Sequence, residues 1–331
     1  MAGSSPPGLS VAVANAGGFG ACGGLLMQPA AIKAWAADFR AGSNAGFQLN
    51  LWIPDPPPAR NPVAEDRVRL FLGRFGPLPS LESANPRLPD FAAQCEAMLE
   101  AGPAVVSSIM GLYPPDYVAR LKARGIKWFA NTTTVTEALA AEAAGADAII
   151  AQGMEAGGHR GAFDAAEAEK RMVGLFALLP AVADAVRVPV IATGGIADGR
   201  GIAAALTLGA SAVQIGTGFL RTPEAKLPAA WSEALGRARP EDTLVTRAFS
   251  GRAGRGLATK YALAAGASDA PPPAPYPVQR GLTQAMREAA TAANVIDTMQ
   301  AWSGQSAGLA PALPAADLFR KLWDDARALL A

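Results

Sequence analysis

The chain has 331 residues, 50% of them hydrophobic and 17% charged, with 29 Lys plus Arg against 28 Asp plus Glu. That composition excludes disorder throughout and supplies ample material for a buried core. The near-zero net charge gives no electrostatic footprint for nucleic acid, and two cysteines, Cys22 and Cys95, exclude a disulfide framework.

In chain order, Leu9–Ala16 reads as a helix. Phe19–Cys22 reads as a strand, followed by a helix over Pro29–Arg40 and a strand over Phe47–Trp52. A long Pro-rich connection, from Pro54 to about Pro89, separates these from a helix over Asp90–Ala101. Then strands at Ala104–Ser108, Ile126–Asn131, Asp147–Gln152, Pro189–Thr193 and Ala212–Ile215 alternate with helices at Pro114–Arg124, Val135–Ala144, Glu169–Val186 and Asp198–Leu208. Short apolar strands alternating with amphipathic helices predict a parallel sheet covered by helices. Gly125, Gly145 and Gly209 stand where a left-handed residue ends a helix. A repeat of about 20 to 25 residues outside the insert is that of a (βα)₈ TIM barrel. The count gives seven strands where a closed barrel needs eight. Residues 1–220 are therefore read as the barrel, with a Pro-rich insert at 53–89, and 221–331 as a helical C-terminal extension. Pro271–Pro277 reads as a stiff tether within that extension, and the amphipathic helix Ala315–Leu330 is expected to pack on the barrel.

No apolar stretch reaches the roughly 18 residues of a membrane span. The start lacks a basic segment followed by an apolar one, so a cytoplasmic protein is expected. No Cys/His cluster has metal-ligand spacing, and no metal is expected; the cysteines read as small buried hydrophobes.

Three loops carry chemistry. The strand ending at Gln152 runs into Gly-Met-Glu-Ala-Gly-Gly-His-Arg-Gly161, which holds His159, the only histidine. In a barrel that loop lies at the C-terminal face, where active sites form. A histidine packed on the loop without a role is the alternative, but flanking glycines leave little packing for it to serve. Thr193-Gly-Gly-Ile-Ala-Asp-Gly-Arg-Gly201 and Gln214-Ile-Gly-Thr-Gly218 follow the last two strands. There a barrel can hold a phosphate on backbone N–H groups, so a phosphate-bearing cofactor is expected.

These segments together resemble the nitronate monooxygenase family. So do Asn15-Ala-Gly-Gly-Phe-Gly20, Gly46-Phe-Gln-Leu-Asn-Leu51, Thr246-Arg-Ala-Phe-Ser-Gly-Arg252 and Met299-Gln-Ala-Trp-Ser-Gly-Gln-Ser306. The resemblance implies an FMN-dependent (βα)₈ barrel that oxidises alkyl nitronates, such as propionate 3-nitronate, with O₂, giving a carbonyl compound and nitrite. It implies that Asn50 and Gln152 contact the flavin ring system. Gly157, Gly195, Gln214, Ile215, Gly216 and Thr217 would hold the ribityl chain and phosphate. His159 would be the catalytic histidine, facing a small anionic substrate and O₂. Family members open with a strand ending in Pro-Met-Ala-Gly, whereas this chain begins Met1-Ala-Gly3, so the first barrel strand is expected upstream. The rival readings are an FMN-dependent enoyl-acyl-carrier-protein reductase using NAD(P)H and a non-catalytic flavin- or phosphate-binding barrel. Neither the oligomeric state nor the physiological nitronate is fixed by the sequence.

Overall fold

Seven short parallel strands form one curled sheet, in the order β1 (Gly20–Gly23), β2 (Phe47–Trp52), β3 (Val105–Ile109), β4 (Lys127–Thr132), β5 (Ala148–Gln152), β7 (Val190–Thr193) and β8 (Ala212–Gln214). Between β5 and β7 in the chain, β6 (Gly158–His159) leaves this sheet. It pairs antiparallel with β10 (Gly254–Leu257), which in turn pairs with β9 (Thr243–Thr246). The computed structural model describes residues 3–331. Met1 and Ala2, part of the expected break at the start of the barrel, lie outside the described residues.

The barrel strands are those expected, within a residue or two at each end. Leu49, Leu51, Val106, Trp128 and Ile149 are almost free of solvent and join the core formed with the surrounding helices. Gly125, Gly145 and Gly209 all adopt positive φ, as their helix-ending positions require. Among the described residues, β1 and β8 pair only with β2 and β7 respectively, so the sheet does not close. Residues of both edges line a cavity of about 1170 Å³, whose wall also includes Leu9 and Val13 from the helix Pro7–Asn15 and Phe319 and Trp323 from the helix Ala315–Leu330. The latter helix buries Leu318, Leu322 and Ala326 in the barrel's core cluster.

Three expectations need correction. The Pro-rich connection is not irregular throughout, because Pro62–Leu72 is a helix. Its Asn61 side chain accepts the Ala64 N–H at 3.1 Å, and Pro62 stands at the first helical position, where its missing N–H costs nothing. The helix expected from Glu169 starts only at Leu175. There both Glu155 carboxylate oxygens lie 3.0 Å from the Leu175 N–H, an end cap supplied from 20 residues away. Nor is Pro271–Pro277 a tether: Ala274 and Tyr276 are buried, and the Ala274 N–H donates to Gln279 Oε1 at 2.9 Å. Residues 221–331 contain several helices together with strands β9 and β10.

Register decides where the chemistry gathers. Gln152, Thr193 and Gln214 stand side by side at the C-terminal ends of β5, β7 and β8. The three loops singled out in the sequence therefore open from one end of the sheet. No helix among the described residues is long and apolar enough to cross a membrane, and no cluster there could hold a metal ion.

Candidate active site

A cavity of about 710 Å³ opens at that end. It is lined by His159, Asn50, Gln152, Gly157, Gly195, Gln214, Gly216 and Thr217, eight of the nine residues expected at the site. Ile215 is absent from this lining and instead lines the cavity between β1 and β8.

His159 is held from several directions. Its backbone pairs with Gly254 in the small antiparallel sheet, and the next N–H, of Arg160, donates to Ala253 O at 2.9 Å. Its ring Nε2 lies 2.8 Å from Ser250 Oγ. The ring is flanked by Trp52, at 4.8 Å between centroids, and by Trp302, at 5.0 Å. Nδ1 has no hydrogen-bond partner among the described residues. Burial, with the charges of Arg252 and Arg280 adding to it, pushes the imidazole pKa down to about 3. The ring is therefore neutral near pH 7.

Gln152 and Arg160 shape the loop that carries His159. Gln152 Oε1 accepts the Gly161 N–H at 2.7 Å and its Nε2 donates to His159 O at 3.1 Å, so both ends of the amide clamp the loop. Arg160 is buried and donates to the carbonyls of Gln152, Thr133 and Arg171. Asn50 donates to Ser107 Oγ at 2.9 Å, which also accepts from Gln48 Nε2 at 2.7 Å. The Asn50 backbone carbonyl accepts the Gly24 N–H at 2.8 Å, while its side-chain Oδ1 accepts no hydrogen bond among the described residues.

The glycine turns form a cradle. A Cβ at Gly157 would lie 2.5 Å from Gly304 N and 2.6 Å from the Ser303 carbonyl carbon, so the Ser303–Gly304 backbone passes where a side chain would stand. Gly304 N–H also donates to Thr217 Oγ1 at 2.9 Å. Gly195 holds φ +72°, a conformation costly for other residues. Among the described residues, the backbone N–H groups of Gly195 and Gly216 donate to no acceptor. Unpaired N–H groups on two turns after β7 and β8 are what an anionic phosphate needs. The phosphate end of a flavin mononucleotide fits that donor set.

No carboxylate contacts His159. Glu155, the acid nearest to it in sequence, is spent on the Leu175 N–H. Asp55 pairs with buried Arg252 at 3.2 Å, and Glu288 is the one acidic residue among those described that lines the cavity. Both cysteines are buried, and burial raises their thiols to about 11 for Cys22 and about 12 for Cys95, so neither is a thiolate.

Sequence reasoning missed several groups here: Ser250, Trp52, Arg280, and Met110 with its φ of +68°. Ser250 and Trp302 sit in segments that carried the family resemblance, and that was the available signal. Nothing local marked Tyr276, which stacks on Trp52 at 4.6 Å.

The sequence model described as nitronate monooxygenase matches residues 1–325. A nitronate monooxygenase of Pseudomonas aeruginosa is 40% identical over 99% of this chain and 94% of its own length. One of Paraburkholderia phytofirmans is 38% identical, over 97% of this chain and 89% of its own. Among solved structures, nitroalkane oxidase from Streptomyces ansochromogenes matches with TM-score 0.90 at 34% identity, covering 100% of this chain and 96% of that one. FabK from Thermotoga maritima matches with TM-score 0.77 at 28% identity, covering 100% of this chain and 91% of that one.

Proposed function

The chain belongs to the nitronate monooxygenase family, and on that premise we propose that it oxidises alkyl nitronates with O₂, using FMN, to a carbonyl compound and nitrite. One observation carries the reading. The only histidine is neutral, fixed between two indoles and a serine over a glycine-lined cavity, with no carboxylate against it. Such a site cannot easily deprotonate a neutral carbon acid, and it suits a substrate that arrives already as the carbanion equivalent.

FMN, when bound, would accept electrons from the nitronate and return them to oxygen. The net change, two nitronates per O₂, breaks each C–N bond, forms a C–O bond at each carbon with one oxygen atom of O₂, and releases two nitrites. The N–H groups of Gly195 and Gly216 would receive the phosphate, with Gln214 and Thr217 beside them. The unpaired side-chain Oδ1 of Asn50 and the β5 end at Gln152 would face the ring system. His159 orients the substrate through a hydrogen bond rather than by charge. Ser250 Oγ fixes its ring, and Trp52 and Trp302 keep water from it. One terminal phosphate matches two short turns, and the single G-x-G-x-x-G spacing, Gly18–Gly23, runs into β1 instead of turning from a strand into a helix, so it offers no dinucleotide site and the flavin is FMN rather than FAD. We place the protein in the cytoplasm.

Oxygen uptake and nitrite release are measured with preformed propyl-2-nitronate and with neutral 2-nitropropane. The nitronate should be consumed with nitrite released, and the neutral form far more slowly. Equal rates, or oxygen uptake without nitrite, would remove the reading.

A further inference from the structure

Two guanidinium groups line the cavity, with Glu288 the one acid among the described residues of the lining and ion-paired to neither. Arg280 and Arg287 both lie in the lining, both are half-buried, and neither makes an ion pair among the described residues. Arg287 is tied to neutral acceptors: Thr283 Oγ1 at 3.1 Å, Gln300 Oε1 at 3.2 Å and the Arg280 carbonyl at 3.0 Å. The Arg280 side chain has no hydrogen-bond partner among the described residues. Its charge acts on the hydroxyl of Tyr276, whose ring stacks on Trp52, and disfavours a second positive charge at His159.

A cation withdrawn from water without a counter-ion is costly, and two adjacent ones add repulsion. Burial lowers the pKa of both groups, Arg287 to about 10, yet both remain protonated near neutrality. Two cations against the single carboxylate of Glu288 leave the wall positive and short of one anion, next to a histidine that carries no charge.

We propose that Arg280, backed by Arg287, is the specificity-determining group that draws a small organic anion into this cavity, the task that a charged His159 would otherwise perform. The inference rests on the nitronate reading for the identity of the anion, not for its charge. A planar O–N–O or carboxylate group offers the two acceptors that a guanidinium fork engages in parallel. The positive charge therefore acts in binding, and His159 acts on a substrate already placed.

The test uses FMN-loaded protein and nitrate, an inert planar monoanion, titrated against the flavin absorbance. Arg280→Met should weaken nitrate binding about ten- to a hundred-fold, the range expected for a charged hydrogen bond. It should raise the KM for propyl-2-nitronate by a similar factor with a smaller effect on kcat. Arg280→Lys should recover much of both, and flavin content should be unchanged in all. Arg280→Gln replaces the Met variant if that one fails to fold. Unchanged nitrate affinity in the neutral variants, or nitrate binding lost in His159→Asn but kept in Arg280→Met, would overturn the assignment. If the wild-type protein binds nitrate through Arg280 but does not turn over nitronates, the nitronate reading fails and the anion site stands.

Discussion

His159 Nε2 lies 2.8 Å from Ser250 Oγ, joining residues 91 positions apart in the chain. Ser250 is fully buried and also lies within hydrogen-bond reach of both the N–H and the carbonyl of Arg252, whose guanidinium sits 5.5 Å from the Trp52 ring centre. One serine thus links the histidine loop to the segment behind it.

Replacing the histidine tests its role. His159→Asn should keep the flavin and lose on the order of 10²-fold in kcat/KM for nitronate, the scale for removing one oriented donor over a reacting group. Steady-state kinetics on flavin-matched samples decide it, and wild-type kcat/KM would show that the ring only packs.

Ser250→Ala leaves the ring in place but frees its orientation. About 1 to 1.5 kcal/mol of hydrogen bonding is lost, so kcat/KM should fall about 5- to 13-fold. The double variant with His159→Asn should be no worse than His159→Asn alone, because the two residues act as one unit. Additive losses would separate them.

The neutrality of His159 has a pH signature. With the folded pKa near 3 against 6.5 for the free side chain, the unfolded chain binds the extra proton between those values. The contribution is whole above about pH 6.5 and is lost as pH falls toward 3, by at most about 1.4 kcal/mol per unit. Urea unfolding at pH 5 and 6.5 should show a flatter pH dependence for His159→Gln than for the wild type. In turnover, preformed nitronate should reveal no enzyme group titrating near pH 6.5; an inflection there that vanishes in His159→Gln would contradict the burial argument.

Gly157→Ala should be damaging for a geometric reason. The added methyl would meet the Ser303–Gly304 backbone at 2.5–2.6 Å, and backbone cannot rotate aside as a side chain can. Thermal unfolding should fall by several degrees and flavin content should drop with it. A variant with wild-type melting temperature and full flavin would mean that the cradle has slack.

Much of the fold is legible in local sequence. Helix ends show because Gly125, Gly145 and Gly209 meet a local need for positive φ, and β2 shows because Phe47–Trp52 is a short apolar run. The Pro62–Leu72 helix hides because proline reads as a breaker until its place at the first helical position is known. Leu175 hides as a helix start because its cap, Glu155, comes from another loop. The site divides in the same way. His159 and the turns around Gly195 and Gly216 announce themselves by glycine density beside strand ends. Arg280 lines the cavity, and Ser250 and Tyr276 back the His159 and Trp52 rings, through packing of the C-terminal third, which no periodicity encodes. Ile215 matches the family segment yet lines only the neighbouring cavity, whereas Gln214 and Gly216 line both.

The most direct measurement compares two electron donors under anaerobic conditions. The FMN-loaded protein is mixed with propyl-2-nitronate in one syringe and with NADH or NADPH in another, and the flavin absorbance near 450 nm is followed. If the protein is a nitronate monooxygenase in action as well as in family, the nitronate bleaches the flavin within the turnover time and neither nicotinamide does. Rapid bleaching by NADH or NADPH, with no response to the nitronate, would contradict that and point to a reductase.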